Sequence, residues 1–272
     1  MSSVPWPPPP PRRRPWVRAL SACWAAWSLL TAVRLPWAPP SLDERGWARG
    51  LACYPVVGLA LGVMLLWFAG MGLITLGSIT LWLLAPLWAL LTGALHLDGL
   101  MDTADGLMGG ATPEARLRIM RDERVGAFGV VAALSVFGVK MAALGMGVPL
   151  EGLILAPVWA RWAAVWAIVR YPYARDQGLG RALKNHSRPR DLLLASLAAV
   201  LISLPFDHGW LFALVAWATA VLFARAVQER VPGFTGDMYG ALIELVETLI
   251  LVVAHSPHLR VHWIVPQGPP WI

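Results

Sequence analysis

The chain has 272 residues, of which 57% are hydrophobic and only 14% charged, with 16 Trp and a mean hydropathy of +0.59. That composition excludes an ordinary soluble domain and points to an all-α, polytopic protein with the lipid bilayer as its solvent. A net charge of +6 and a pI near 10 would suit a nucleic-acid binder, but the basic residues sit in short connections between apolar runs. Positive-inside topology explains them, and no nucleic-acid partner is expected.

In chain order, residues 1–16, with Pro7–Pro11 and Arg12–Arg14, read as a disordered Pro/Arg-rich cytoplasmic tail able to touch anionic lipid. The stretch 17–33 lies between Arg18 and Arg34 and offers about 15 apolar residues, roughly 22 Å as helix, which is too short to span. It is expected as an interfacial or half-inserted helix. Runs at 51–68, 76–95, 126–147, 152–170, 191–204, 209–226 and 238–255 predict about seven spanning helices. Placing the loops 34–50, 96–125, 171–190 and 227–237 on one side gathers nearly all Lys and Arg there, which makes that side the cytoplasm. Residues 17–255 then form a single membrane-embedded domain, and 256–272 a C-terminal tail on the other side. His255, His258 and His262 have no carboxylate near them and belong with that tail. Cys23 and Cys53 form no CxxC pair, so they predict neither a disulfide framework nor a zinc site and read as packing residues.

The chemistry is concentrated in LHLDGLMDTADGLMGG, residues 95–110. Asp98, Asp102 and Asp105 stand at i, i+4 and i+7, on one face of a helix, with no base beside them. Three carboxylates in so apolar a setting need a cation. Hard oxygen ligands, with Gly99 and Gly106 allowing close approach, suit Mg²⁺ shared with a substrate phosphate. The following segment, with Arg116 and Arg118 and then Arg121, Asp122 and Arg124, alternates basic and acidic groups and can hold phosphate oxygens, most of all where the last three abut the Gly-rich helix entry. In GFTGDMYGALIELVE, Asp237 and Glu244 share a helix face near the cytoplasmic end and are expected to complete the metal site. Glu247 lies deeper, at the level of Lys140 and Arg161, and is expected to pair with one of them. The loop 170–190 adds Arg175, Lys184 and other basic residues as a candidate phosphate lid, and His96 is a candidate proton partner beside the aspartates.

These residues resemble the adenosylcobinamide-GDP ribazoletransferase (cobalamin synthase) family. The likeness runs through RLPW at 34–37, YPVVGLALG at 54–62, GALHLDGLMDTADG at 93–106, IMRDERVGAFG at 119–129, YPYARDQGLG at 171–180 and TGDMYGALIELVE at 235–247. The LHLDG–DTADG stretch is its specific part. The resemblance implies a bacterial inner-membrane enzyme that joins adenosylcobinamide-GDP to α-ribazole, or to its 5′-phosphate, with loss of GMP. It implies Mg²⁺ as cofactor, catalytic Asp98, Asp102, Asp105 and Asp122, and substrate contacts from Arg121, Arg124, Arg175, Lys184 and His96. Metal ligands would come from the three helix aspartates with Asp237 and Glu244. Assembly as a homo-oligomer stays open. Asp102–Gly106 also fits the DxxDG opening of CDP-alcohol phosphotransferases, but Gly109 and Gly110 stand where that signature needs Ala-Arg. A cation transporter is the remaining alternative, although the charges crowd one membrane face and trace no path across.

Overall fold

The computed structural model describes residues 15–36, 42–147, 150–256 and 259, so almost all of both expected tails, including His258 and His262, lies outside the described residues. The described residues are helical throughout, apart from turns and one isolated bridge between Tyr173 and Phe234. The order is α1 (Pro15–Leu30), α2 (Glu44–Arg49), a 3-10 turn (Gly50–Cys53), α3 (Tyr54–Leu76), α4 (Ile79–Leu91), α5 (Leu95–Gly109) and α6 (Pro113–Ile119). It continues through α7 (Ala127–Gly145), α8 (Leu150–Arg170), α9 (Leu179–His186), α10 (Pro189–Ser203), α11 (Gly209–Gln228) and α12 (Gly236–Ala254).

Among the described residues, four stretches are long and apolar enough to cross a membrane: Glu44–Leu76, α7, α8 and α11; the bent pair α4–α5 makes five if it counts as one span. This is fewer than the seven expected from hydropathy, and each shortfall has a local cause. The 76–95 run breaks because the chain turns by 83° between α4 and α5, through Gly93 at φ 63° and Ala94 at φ 55°. Left-handed backbone at a non-glycine residue costs roughly 1–2 kcal/mol, so surrounding packing has to hold that corner. Helix α10 has only 15 residues, and α12 carries three carboxylates along its 19 residues. The polytopic all-helical reading itself holds. Val63, Trp67, Ile74, Leu134, Leu197, Leu201, Trp210 and Leu222 are all exposed, as an apolar belt facing lipid requires.

Helix α8 is the axis of the bundle, with 89% of its apolar window enclosed by the other helices. Helix α3 approaches it through Gly58 and Gly62, where any Cβ would run into the backbone at Pro157 and Ile154. Small residues four apart permit this contact between membrane helices, whose association rests on packing. Helix α1, with 16 residues, is short, as expected, and docks on the 3-10 turn. That docking corrects the expectation for the cysteines. Cys23 and Cys53 are paired as a disulfide with Cα atoms 5.2 Å apart, because α1 folds back over residues 30 positions away.

The deepest polar feature is a closed charge network. Lys140 of α7 donates to both Glu244 and Glu247 of α12 at 2.6 Å, and Arg161 of α8 pairs with the other oxygen of Glu247. The Lys140 ammonium also stands 4.7 Å from the centre of the Trp88 ring. Glu247 thus meets both cations at its depth. All four charged groups are at most 4% exposed, a setting in which removing one partner strands the others. Replacing Lys140→Met is therefore expected to cost about 3–5 kcal/mol and to lower the thermal midpoint of the detergent-solubilised protein. Adding Glu244→Gln to that variant should recover most of the loss. An unchanged midpoint in Lys140→Met would show that the network contributes nothing to stability.

Candidate functional site

The 83° corner before α5 turns that helix across one end of the bundle, where it crosses the start of α12. The crossing is close because glycines line it. A Cβ on Gly99 would stand 2.6 Å from the Asp237 carbonyl oxygen, and one on Gly240 would stand 3.1 Å from the His96 Cα. Asp237 is therefore pressed against α5, although more than a hundred residues separate them in sequence. Thr235 caps α12 by accepting from the Met238 N–H at 3.3 Å. The strand-like pairing of Phe234 N–H with Pro172 O (2.9 Å) and Ala174 N–H with Phe234 O (2.8 Å) then lays the 171–178 loop beside that cap. Arg175 is delivered by this loop, and its Nη2 donates to Asp237 Oδ2 at 2.6 Å.

Asp98 is exposed at the mouth, whereas Asp102 and Asp237 are half-buried. Asp102 lies in the field of Asp98 and Asp237 and, more weakly, Asp105, with Arg175 as the opposing charge. Neither Asp98 nor Asp102 accepts a hydrogen bond from a side chain among the described residues. A cleft of about 270 Å³ opens beside this group and is lined by His96, Asp98, Asp237, Tyr54 and Tyr239 among others.

The third aspartate of the motif is placed differently. Asp105 turns into the protein, where Oδ2 accepts from the Gly126 N–H and Oδ1 from the Gly129 N–H, both at 2.8 Å. These donors belong to the first turn of α7, whose orphan N–H groups favour a carboxylate. A side chain at Gly126 or Gly129 would collide with the Asp105 oxygens, so glycines at both positions are part of the joint. Asp105 therefore ties α5 to α7 instead of joining Asp98 and Asp102.

Other expected positions separate in the same way. Glu244 is not with Asp237: it lies two turns deeper and is bound by Lys140. Lys184 donates to the Val169 carbonyl at 2.8 Å, at the C-terminal end of α8, where a cation satisfies a free helix carbonyl. Asp122 and Arg124 pair with each other in the exposed 121–125 loop, with contacts of 2.7 and 2.9 Å. The hydrogen bonds from the Arg124 side chain and backbone hold the Asp122 carboxyl down at about 2, too acidic for a proton acceptor at neutral pH. Arg121 is exposed on the same rim, close enough for its charge to act on Tyr173. Arg116 donates to the Arg230 carbonyl at 2.8 Å and joins α6 to the end of α11. His96, expected as a proton partner beside the aspartates, lines the cleft, is only 5% exposed, and has no partner at Nδ1 among the described residues.

Among the described residues no three His, Cys, Asp or Glu side chains converge closely enough to hold a metal by themselves. The donor chemistry at the cleft still suits a hard divalent cation, which commonly takes one or two carboxylates and fills its shell with water and substrate phosphate.

A family model described as cobalamin-5-phosphate synthase matches residues 22–255. The chain belongs to this family. An adenosylcobinamide-GDP ribazoletransferase of Roseiflexus sp. is 40% identical over 205 residues, covering 73% of this chain and 76% of the relative. Proteins of the same name from Synechococcus elongatus and Syntrophobacter fumaroxidans are 43% and 44% identical, covering 73% and 74% of this chain and 83% and 84% of theirs. No solved structure matches.

The synthase-family cleft also holds residues that motif reading passed over. The chain has four Tyr, and all of them gather at this end. Tyr54 and Tyr239 line the cleft, Tyr239 stacks on Phe234 at 5.6 Å and on Tyr173 at 6.4 Å, and Tyr171 stacks on Phe234 at 5.3 Å. Their position beside Pro and Gly at the ends of apolar runs was the available signal. The two kinds of aspartate respond oppositely to substitution. Asp105→Ala removes two charge-assisted bonds and should cost ~3 kcal/mol, a fall of several degrees in midpoint. Asp102→Asn, measured without divalent cations, relieves like-charge crowding and should raise the midpoint. Equal midpoints for the two variants would refute this division.

Proposed function

We propose that this chain is an adenosylcobinamide-GDP ribazoletransferase of late cobalamin assembly, acting from the cytoplasmic side of a bacterial inner membrane. The observation that carries the reading is the gathering of Asp98, Asp102 and Asp237 with Arg175 beside a cleft that Asp98 and Asp237 line, in a chain of the cobalamin-5-phosphate synthase family. In the reaction, a ribose hydroxyl of α-ribazole, or of its 5′-phosphate with that phosphate left intact, forms a bond to the cobinamide-linked phosphorus of the diphosphate. The bond from that phosphorus to the GMP oxygen breaks, and GMP departs with its electron pair. A hydroxyl nucleophile gives its proton to a carboxylate of the cleft.

The barrier is mainly electrostatic, since an oxygen nucleophile approaches an anionic diphosphate. Mg²⁺ held by carboxylates of Asp98, Asp102 and Asp237 would supply charge neutralisation at the phosphate oxygens and the leaving group. Arg175 is oriented by Asp237 and the Met120 carbonyl, and its buried Nε has no hydrogen-bond partner among the described residues, a donor that a phosphate oxygen would satisfy. Arg121 adds positive charge on the rim. The named groups all come from one chain, so a homo-oligomer is not needed to complete the cleft.

With purified protein in Mg²⁺, adenosylcobinamide-GDP and α-ribazole should yield a cobamide and GMP. Asp98→Asn, Asp102→Asn and Asp237→Asn should each lower turnover about 100-fold or more, as loss of a charge-stabilising group does, while the variants remain folded. Chelation should abolish turnover and Mg²⁺ restore it. Near-normal rates in chelator would remove the metal from the reading, and absence of product with the wild-type protein would remove the reaction.

The orientation is tested separately. Single cysteines at Arg118 or Lys184 should resist an impermeant thiol reagent in intact cells and label after permeabilisation. Labelling in intact cells would put the cleft on the opposite side.

A further inference from the structure

The cleft at the carboxylates has two chemically distinct halves. Its rim carries Asp98 and Asp237, while its wall is built from Leu30 of α1, Ile168 of α8, Leu183 of α9 and Ile243 of α12. Three polar side chains, His96, Tyr54 and Tyr239, interrupt the apolar half. His96 and Tyr239 are 5% and 7% exposed, and neither His96 Nδ1 nor the Tyr239 hydroxyl has a hydrogen-bond partner among the described residues. Buried polar atoms left unpaired carry a desolvation cost that a ligand atom can relieve. A pocket mostly apolar, with one or two placed polar groups and a charged rim, is the usual form of a small-molecule subsite.

The transferase reading offers three groups for such a place: the corrin, the guanine of the GDP arm, and the aromatic base of α-ribazole. A corrin fringed with amide side chains is too large for a cleft of about 270 Å³. Guanine presents several donors and acceptors around its edge, and a wall of Leu and Ile would leave most of them unpaired. A dimethylbenzimidazole is a flat apolar bicycle with a single free acceptor nitrogen. The Tyr239 phenol, protonated at neutral pH, is a donor suited to that nitrogen.

We infer that this cleft is the α-ribazole subsite. The dimethylbenzimidazole ring lies against Leu30, Ile168, Leu183 and Ile243, with its free nitrogen accepting from the Tyr239 hydroxyl. The ribose points to the rim, which sets its attacking hydroxyl beside Asp98 and Asp237. The inference rests on the ribazoletransferase reading and adds to it the residues that select the base.

Two measurements test it. In steady-state assays, Tyr239→Phe keeps the ring stacking on Phe234 and Tyr173 but removes the donor. It should raise the KM for α-ribazole about 10-fold and leave the KM for adenosylcobinamide-GDP unchanged. The second measurement needs no turnover. The thiol introduced by Leu183→Cys should be alkylated by N-ethylmaleimide in the absence of ligand and protected by α-ribazole, with protection by GMP or GDP at the same concentration at least 10-fold weaker. Failure of the wild-type protein to make product would overturn the transferase reading, while protection by α-ribazole would still support the subsite. Product formation combined with a KM change on adenosylcobinamide-GDP alone, an unchanged KM for α-ribazole, or protection by GMP and not by α-ribazole would overturn the subsite and leave the transferase standing.

Discussion

Helix α12 carries three carboxylates through an apolar bundle, and what neutralises each of them organises the rest of the molecule. An ionised group in such surroundings persists only if paired, hydrated or bound to a cation. Glu244 and Glu247 are balanced within the protein by Lys140 and Arg161, two cations for two anions, in direct contact. At the end of the same helix, Asp237 shares its surroundings with Asp98 and Asp102, and Arg175 is the guanidinium bound there. Three anions against one cation leave two negative charges. A divalent cation, as proposed for this cleft, would make up that difference. The buried set is charge-balanced without a ligand, although Arg161 Nε and Nη2 have no hydrogen-bond partner among the described residues, and the terminal set is not balanced, which is why the proposed chemistry is assigned to the second.

The same constraint explains the separate fate of Asp105. It satisfies its charge with two backbone N–H groups at the start of α7, so it can lie 8% exposed without a cation. The price is conformational: both donors must come from glycines, and α5 must lie where its third aspartate reaches α7. The corner at Gly93 and Ala94 provides that placement. One motif of three aspartates therefore divides: Asp98 lines the cleft, Asp102 lies beside it in the field of Asp98 and Asp237, and Asp105 fixes the helix carrying them.

Much of this was legible in the sequence, and the misses share a cause. Periodicity located the α5 aspartates, and depth along α12 matched Glu247 to Lys140 and Arg161. Chemistry near the surface brought Asp237 to α5. Glu244 was misplaced because i and i+7 share a helix face but differ by about 10 Å in depth, and depth decided its partner. Lys184 and Asp105 were misplaced because helix-terminal carbonyls and N–H groups leave no mark in composition, although they compete with ligands for every nearby charge. The Cys23–Cys53 pair and the break of the 76–95 run depend on how helices fold back on one another, which residue spacing does not encode.

The buried network and the cleft are not independent. His96 lines the cleft, yet the charges of Arg161, Glu247 and Lys140 act on it from below, so the neutral network forms the floor beneath the open site. Arg161 sits on α8, the enclosed axis against which α3 and α12 both pack, and that anchoring keeps the floor fixed when charge enters above it. A floor of mobile or unbalanced ions would rearrange to meet each incoming phosphate and dissipate the field that the reaction needs. With the deep charges balanced, positive charge held at the rim would act on the diphosphate of the proposed reaction, where catalytic stabilisation depends on groups that do not have to reorganise.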